Sequence, residues 1–171
     1  MSANRLAVIV LSLFTALLLQ VTVLGRLSFL GAKPDLVLVA VVCFALSDGP
    51  GAGVGAGFGI GLFADLLGTN PLGMLALILC VTGYAGGVIR SYFDRMSTFT
   101  PMLVVGALTA AAVLARAALG ALLGDPRVTA EPVVRSLLLT SLYDVVLTPC
   151  VFAAVTALRG RGEDRLERGI R

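Results

Sequence analysis

The stretch "GPGAGVGAGFGIGLFADLL", Gly49 to Leu67, places seven glycines on odd-numbered positions from Gly49 to Gly61 and reaches an acid, Asp65, after three more apolar residues. Four structures could use such a run: a phosphate-cradling loop, a strand, a flexible linker, or a helix stripped smooth for packing. A dinucleotide loop of the G-x-G-x-x-G type needs a glycine five positions after its first, and here every glycine from Gly49 to Gly61 has the same parity. A phosphate loop also needs G-K-[ST], which is missing. A lone strand would leave its backbone groups unpaired in lipid. Val54, Phe58, Ile60, Leu62 and Phe63 are too apolar for a linker. The helix remains. On it, Gly53, Gly57 and Gly61 form one ridge at i, i+4, i+8, and Gly51, Gly55 and Gly59 form a second on roughly the opposite side. A helix smooth on two sides is expected to be clasped between two neighbours, where close van der Waals contact holds helices together in lipid. Asp65 continues the first ridge four residues beyond Gly61, so it is expected in the same interface.

The rest of the chain supplies the apolar surroundings. Its 171 residues are 58% hydrophobic and only 13% charged, with mean hydropathy +1.00. Soluble domains carry about 25% charged residues, so the composition indicates an all-α integral membrane protein. Six apolar segments, about 6–24, 36–47, 52–67, 74–89, 101–123 and 136–158, are read as membrane spans of one helical domain, followed by a basic tail over 159–171. The first run is longer than a signal-peptide core and lacks an A-x-A site, so it is expected to stay as an uncleaved span. The second and third are short. Two short spans are the expectation, with a re-entrant hairpin as the alternative. With the N-terminus inside, Arg5, Arg90, Arg95 and five tail arginines (Arg159, Arg161, Arg165, Arg168, Arg171) lie inside, against Arg26, Lys33, Arg127 and Arg135 outside. Eight basic residues against four place both termini in the cytoplasm.

Several chemistries are excluded. The chain has no histidine, and Cys43, Cys80 and Cys150 each lie alone in an apolar run, so neither a zinc site nor a disulfide framework is expected. No H-E-x-x-H and no nucleophile-elbow serine occurs, so no catalytic residue, cofactor or metal ligand is expected. The net charge of +3 owes much to the tail, which reads as a solvated end and not as a nucleic-acid patch.

Four charges lie at or inside the apolar segments: Asp35, Asp65, Arg116 and Asp144. Charge in a membrane is costly, so such residues are paired or functional. An internal salt bridge that fixes packing, a partner-docking site, and a substrate or ion site are all open at this point. Depth gives an expected pairing. Arg116 lies about 10 Å from the outer end of the fifth segment and Asp144 about 12 Å from the outer start of the sixth, against about 3 Å for Asp65. Asp144 is therefore the expected partner of Arg116, and Asp65 the second choice.

The ordered set of motifs resembles the rod shape-determining protein MreD family. The residues that carry the likeness are "GFGIGLFADL" (Gly57–Leu66), with a G-x-x-x-G-x-x-x-D-L cadence, "PLGMLAL" soon after, and "GYAGG" around Tyr84. "KPDLVLV" after the first span and the last-span sequence "EPVVRSLLLTSLYDVVLTPCVFAAVTALR" complete it. The resemblance implies a multi-pass protein of the bacterial inner membrane, part of the cell-elongation machinery that controls cell or spore shape. It implies work with the bitopic protein MreC, near the actin-like MreB and the SEDS glycosyltransferase and transpeptidase that build peptidoglycan. The family fold is similar to the S-component of energy-coupling-factor transporters, which supplies the alternative reading of a substrate-binding subunit for a vitamin. The absence of tryptophan, the three tyrosines and the short outer loops argue against such a pocket.

Overall fold

The computed structural model describes residues 13–20, 22, 34–68, 71–91, 99–124 and 130–168, with the backbone alone for 130, 132 and 157–168. The chain is helical wherever it has regular structure among these residues. A helical stretch, α1, covers 13–20. It is followed by α2 (Leu36–Asp48), α3 (Pro50–Leu67), α4 (Met74–Ile89), α5 (Phe99–Leu122) and α6 (Ala130–Arg168). The flanks of the first apolar segment lie outside the described residues, as do the side chains of Arg5, Arg26, Lys33, Arg95, Arg127 and the five tail arginines.

Helix α2 is the axis of the bundle. Every residue from Val37 to Ala45 is buried, and α3, α4, α5 and α6 all pack against it. A helix apolar all round is one buried all round. Its 13 residues reach only about 20 Å. A single residue, Gly49, joins it to α3. That residue has φ +96, and its N–H donates to the Ala45 carbonyl at 2.8 Å, while Pro50 opens α3 with a ring already set for the first turn.

By length and hydropathy, α3, α5 and the 133–156 part of α6 suffice to cross a membrane, whereas α2 and α4 are shorter. Large apolar side chains such as Phe58, Leu77, Leu103, Leu138 and Val146 face outward. In water such a surface would aggregate, whereas lipid solvates it.

The last helix departs from expectation. The segment read as 136–158 with a tail after it is one helix of 39 residues, about 58 Å long, that begins six residues earlier. Proline is tolerated in a first helical turn and an acid is favoured there, so Pro132 and Glu131 start the helix where they looked like loop. Pro149 lies in the interior of the same helix. It removes the N–H that would meet the Val145 carbonyl, and one residue earlier the Thr148 hydroxyl donates to the Asp144 carbonyl at 2.6 Å.

Helices α3 and α4 lie antiparallel in the closest contact of the molecule. A methyl group placed on Gly53 would meet the carbonyl oxygen of Gly83, and one on Gly57 would meet the carbonyl of Leu79. One on Gly61 would sit 2.5 Å from the Ala76 Cα, and Gly87 of α4 meets Pro50 in the same way. The backbones touch with no side chain between them. The opposite ridge has no such neighbour. Gly51, Gly55 and Gly59 have nothing within 4 Å of an added methyl. The expected two-sided clasp is therefore one-sided within the chain. The reason lies in α4, whose small residues Ala76, Gly83 and Gly87 match the first ridge, while no helix among the described residues covers the second.

Candidate functional site

The buried acids fall into two places. Asp65, 3% exposed, closes the α3–α4 seam. Gly73 precedes α4 and has no side chain with which to cap it. Asp65 supplies the missing acceptor from the neighbouring helix. Its carboxylate receives the N–H groups of Gly73 at 2.9 Å, Leu75 at 3.1 Å and Ala76 at 3.1 Å. These are the donors that a helix start leaves without partners, and the partial positive charge at that end favours a carboxylate. The site is chemically closed, since three amides of one helix take up the carboxylate.

The second place is the crossing of α1, α2, α5 and α6. Asp35 is the N-cap of α2, and one carboxylate oxygen receives the Leu38 N–H at 3.1 Å. Gln20 of the first helical segment donates to the same oxygen at 3.3 Å and accepts from the Val37 N–H at 2.9 Å. The other oxygen of Asp35 faces Arg116 of α5, whose Nη2 lies 3.1 Å away. The Asp35 N–H donates to Asp144 of α6 at 2.8 Å, and the Thr109 hydroxyl of α5 donates to the other Asp144 oxygen at 3.0 Å. Asp144 is completely buried. Thus three segments separated in sequence, α1, α5 and α6, are tied to the start of α2.

This geometry corrects the expected pairing. Arg116 pairs with Asp35 and not with Asp144, and Asp65 bonds to backbone amides instead of serving as the second choice. The physical cause is the register of α6. Because α6 begins at Ala130, Asp144 lies about 21 Å along it, level with Thr109, which is about 20 Å from the end of α5. Arg116 is only about 9 Å from that end. Asp35 was placed at a membrane edge, yet the short α2 starts inside the bundle, and its cap starts there with it.

Gln20, Thr109 and Thr140 were not singled out from the sequence. Thr140, Asp144 and Thr148 stand at i, i+4, i+8 and are all buried, so one polar row on one face of α6 was visible in principle. Above the crossing lies a cavity of about 340 Å³, bordered by Gln20, Asp35, Thr109, Arg116, Ser136 and Thr140. Among the described residues no group of three or more metal-binding side chains occurs, and all three cysteines are free thiols.

The chain matches the family described as rod shape-determining protein MreD over residues 2–157, nearly its whole length. No curated protein and no solved structure matches it, so the likeness to the S-component fold has no structural counterpart here. The chain belongs to the MreD family, a family of rod shape determination and not a known enzyme family.

Proposed function

We propose that this chain is a multi-pass scaffold of the bacterial cytoplasmic membrane that acts with an MreC-like bitopic protein in the cell-elongation complex. In that complex it works beside MreB and the SEDS glycosyltransferase–transpeptidase pair that extends peptidoglycan. The observation that carries the reading is the family match over residues 2–157. The described acids fit it: Asp35, Asp65 and Asp144 all bind groups of the chain itself, as in a part built to hold a shape. Six spans with both termini in the cytoplasm belong to the same proposal.

Deletion of the gene in its host tests the function. Rounded or irregular cells, or misshapen spores, are expected, with rescue by the tagged chain and co-purification of the MreC-like protein. Normal shape together with loss of uptake of one small molecule overturns the reading. Topology is tested by Asp48→Cys in a background without Cys43, Cys80 and Cys150. Labelling by an impermeant maleimide only after the inner face is opened is expected. Labelling in intact cells would place the α2–α3 turn outside and make the pair re-entrant.

A further inference from the structure

The cavity above the crossing has the size and chemistry of a binding site. Its 340 Å³ lies at the lower end of ligand pockets, which run from about 300 to 1,000 Å³. Its depth is defined by two wall residues. Arg116 lies six residues before the end of the apolar stretch 99–122 and Ser136 three residues after the start of the apolar stretch 133–156, about 9 Å and about 5 Å along their helices. The polar belt of a bilayer is about 5–8 Å thick on each side. The cavity therefore lies near one end of these apolar stretches, within reach of a lipid headgroup.

The charges select the ligand. Arg116 is 42% exposed and its partner Asp35 11% exposed, so the guanidinium stands forward and the carboxylate behind it. A lone anion meets the guanidinium with the Asp35 carboxylate directly behind it. A lone cation meets the guanidinium first. A molecule with both charges lies head to tail along the Arg116–Asp35 pair. Its anionic group meets the exposed guanidinium, and its ammonium turns toward Asp35 and the hydroxyls of Ser136 and Thr140. A primary ammonium brings three N–H donors, which suits such a set of acceptors, whereas a trimethylated one brings none.

The geometry points to a binding site for a small zwitterion, a primary ammonium joined by a short chain to an anionic group, supplied by the aminoethyl phosphate headgroup of a membrane phospholipid. This inference is independent of the shape-determining role, because it concerns binding by the purified chain alone.

The test is thermal unfolding of the full chain in detergent, titrated separately with dihexanoyl phosphatidylethanolamine, phosphatidylcholine and phosphatidylglycerol, and with free phosphoethanolamine. A ligand that binds only the folded chain raises the midpoint in a saturable way. The ethanolamine lipid is expected to half-saturate at a concentration at least tenfold below that of the other two lipids. Arg116→Gln should weaken the response at least tenfold. Ser136→Leu, which fills the mouth and leaves the ion pair in place, should do the same and decides the matter if Arg116→Gln does not fold. A response to free phosphoethanolamine equal to that of the lipid supports the site and makes its source a soluble zwitterion. No saturable shift, equal shifts with all three lipids, or a shift unchanged by Ser136→Leu overturns the proposal.

Discussion

Asp65 and Asp35 are both buried acids that cap a helix, and the groups around them could hardly differ more. Asp65 reaches across a seam where backbones touch, and its three donors are all backbone amides at the start of α4, Gly73 just before it and Leu75 and Ala76 within it. Asp35 caps its own helix, and the groups that complete its shell come from α1, α5 and α6, beside an open cavity. The α3–α4 seam has one arrangement, because a backbone contact admits no repacking. The crossing is joined through side chains, one of them 42% exposed at its outer edge. Substitutions in the seam are therefore expected to act on whether the protein folds, and substitutions in the crossing on how its parts are held.

The sharpest way to break this contrast is Gly57→Leu. The first carbon of the new side chain would already collide with the Leu79 carbonyl, so the helices must part. Overpacking of cores costs about 1–3 kcal/mol with side chains as neighbours, and a backbone neighbour yields less. Loss of the folded, monodisperse protein in detergent is expected, whereas Gly55→Leu on the uncovered ridge should be recovered at near wild-type level. If both behave alike, the seam is not where the structure puts it.

Next in size is Asp65→Ala. It leaves the three amides at the start of α4 without their acceptor, and a loss of about 2–3 kcal/mol is expected, seen as a lowered unfolding midpoint. Asp65→Asn keeps one acceptor oxygen and should recover part of the loss. An Asp65→Asn variant as poor as the alanine would show that charge toward the helix end outweighs the hydrogen bonds.

Smaller effects are expected at the crossing. Alanine at Arg116, at Asp35 and at both forms a cycle whose coupling should be about 1 kcal/mol, as for pairs near a solvated edge. The same cycle on Arg116 and Asp144 should give clearly less. A larger coupling there would restore the pairing that depth along the sequence suggested. The smallest change is a gain. Gly55→Ala, on a helix face with open space, should raise the midpoint through about 1 kcal/mol or less of helix propensity. Gly53→Ala should lower it.

Those outcomes separate what the sequence could reveal from what it could not. Hydropathy marks the helices well. The apolar run 74–89 and α4 cover the same residues, and α3 begins two residues before the run at 52. The two glycine ridges, however, are equivalent as a pattern. Which one is covered depends on Ala76, Gly83 and Gly87 of another helix, and nothing in residues 49–67 records it. The ion pair was misread for a related reason. Depth counted from Ser136 shifted α6 by six residues, nearly two turns, because Pro132 and Glu131 read as loop. Asp35 looked peripheral because a residue's distance from the membrane surface is set by its helix, and α2 is short enough to begin deep.

The ties on α2 also set an order of events during synthesis. The Asp35 N–H waits for Asp144, 109 residues later in the chain. At about 5–20 residues per second, that wait is roughly 5–20 s. Through this interval α2 is too short to cross the bilayer alone and has its polar start only partly satisfied. Because Gly49 alone links it to α3, the two helices form one hairpin, and the nascent protein passes through a stage in which its future axis leans on α1, α3 and α4 without α5 and α6. A ribosome stalled between α4 and α6 would hold that stage open to membrane proteases, so for this chain the speed of elongation is itself a determinant of yield.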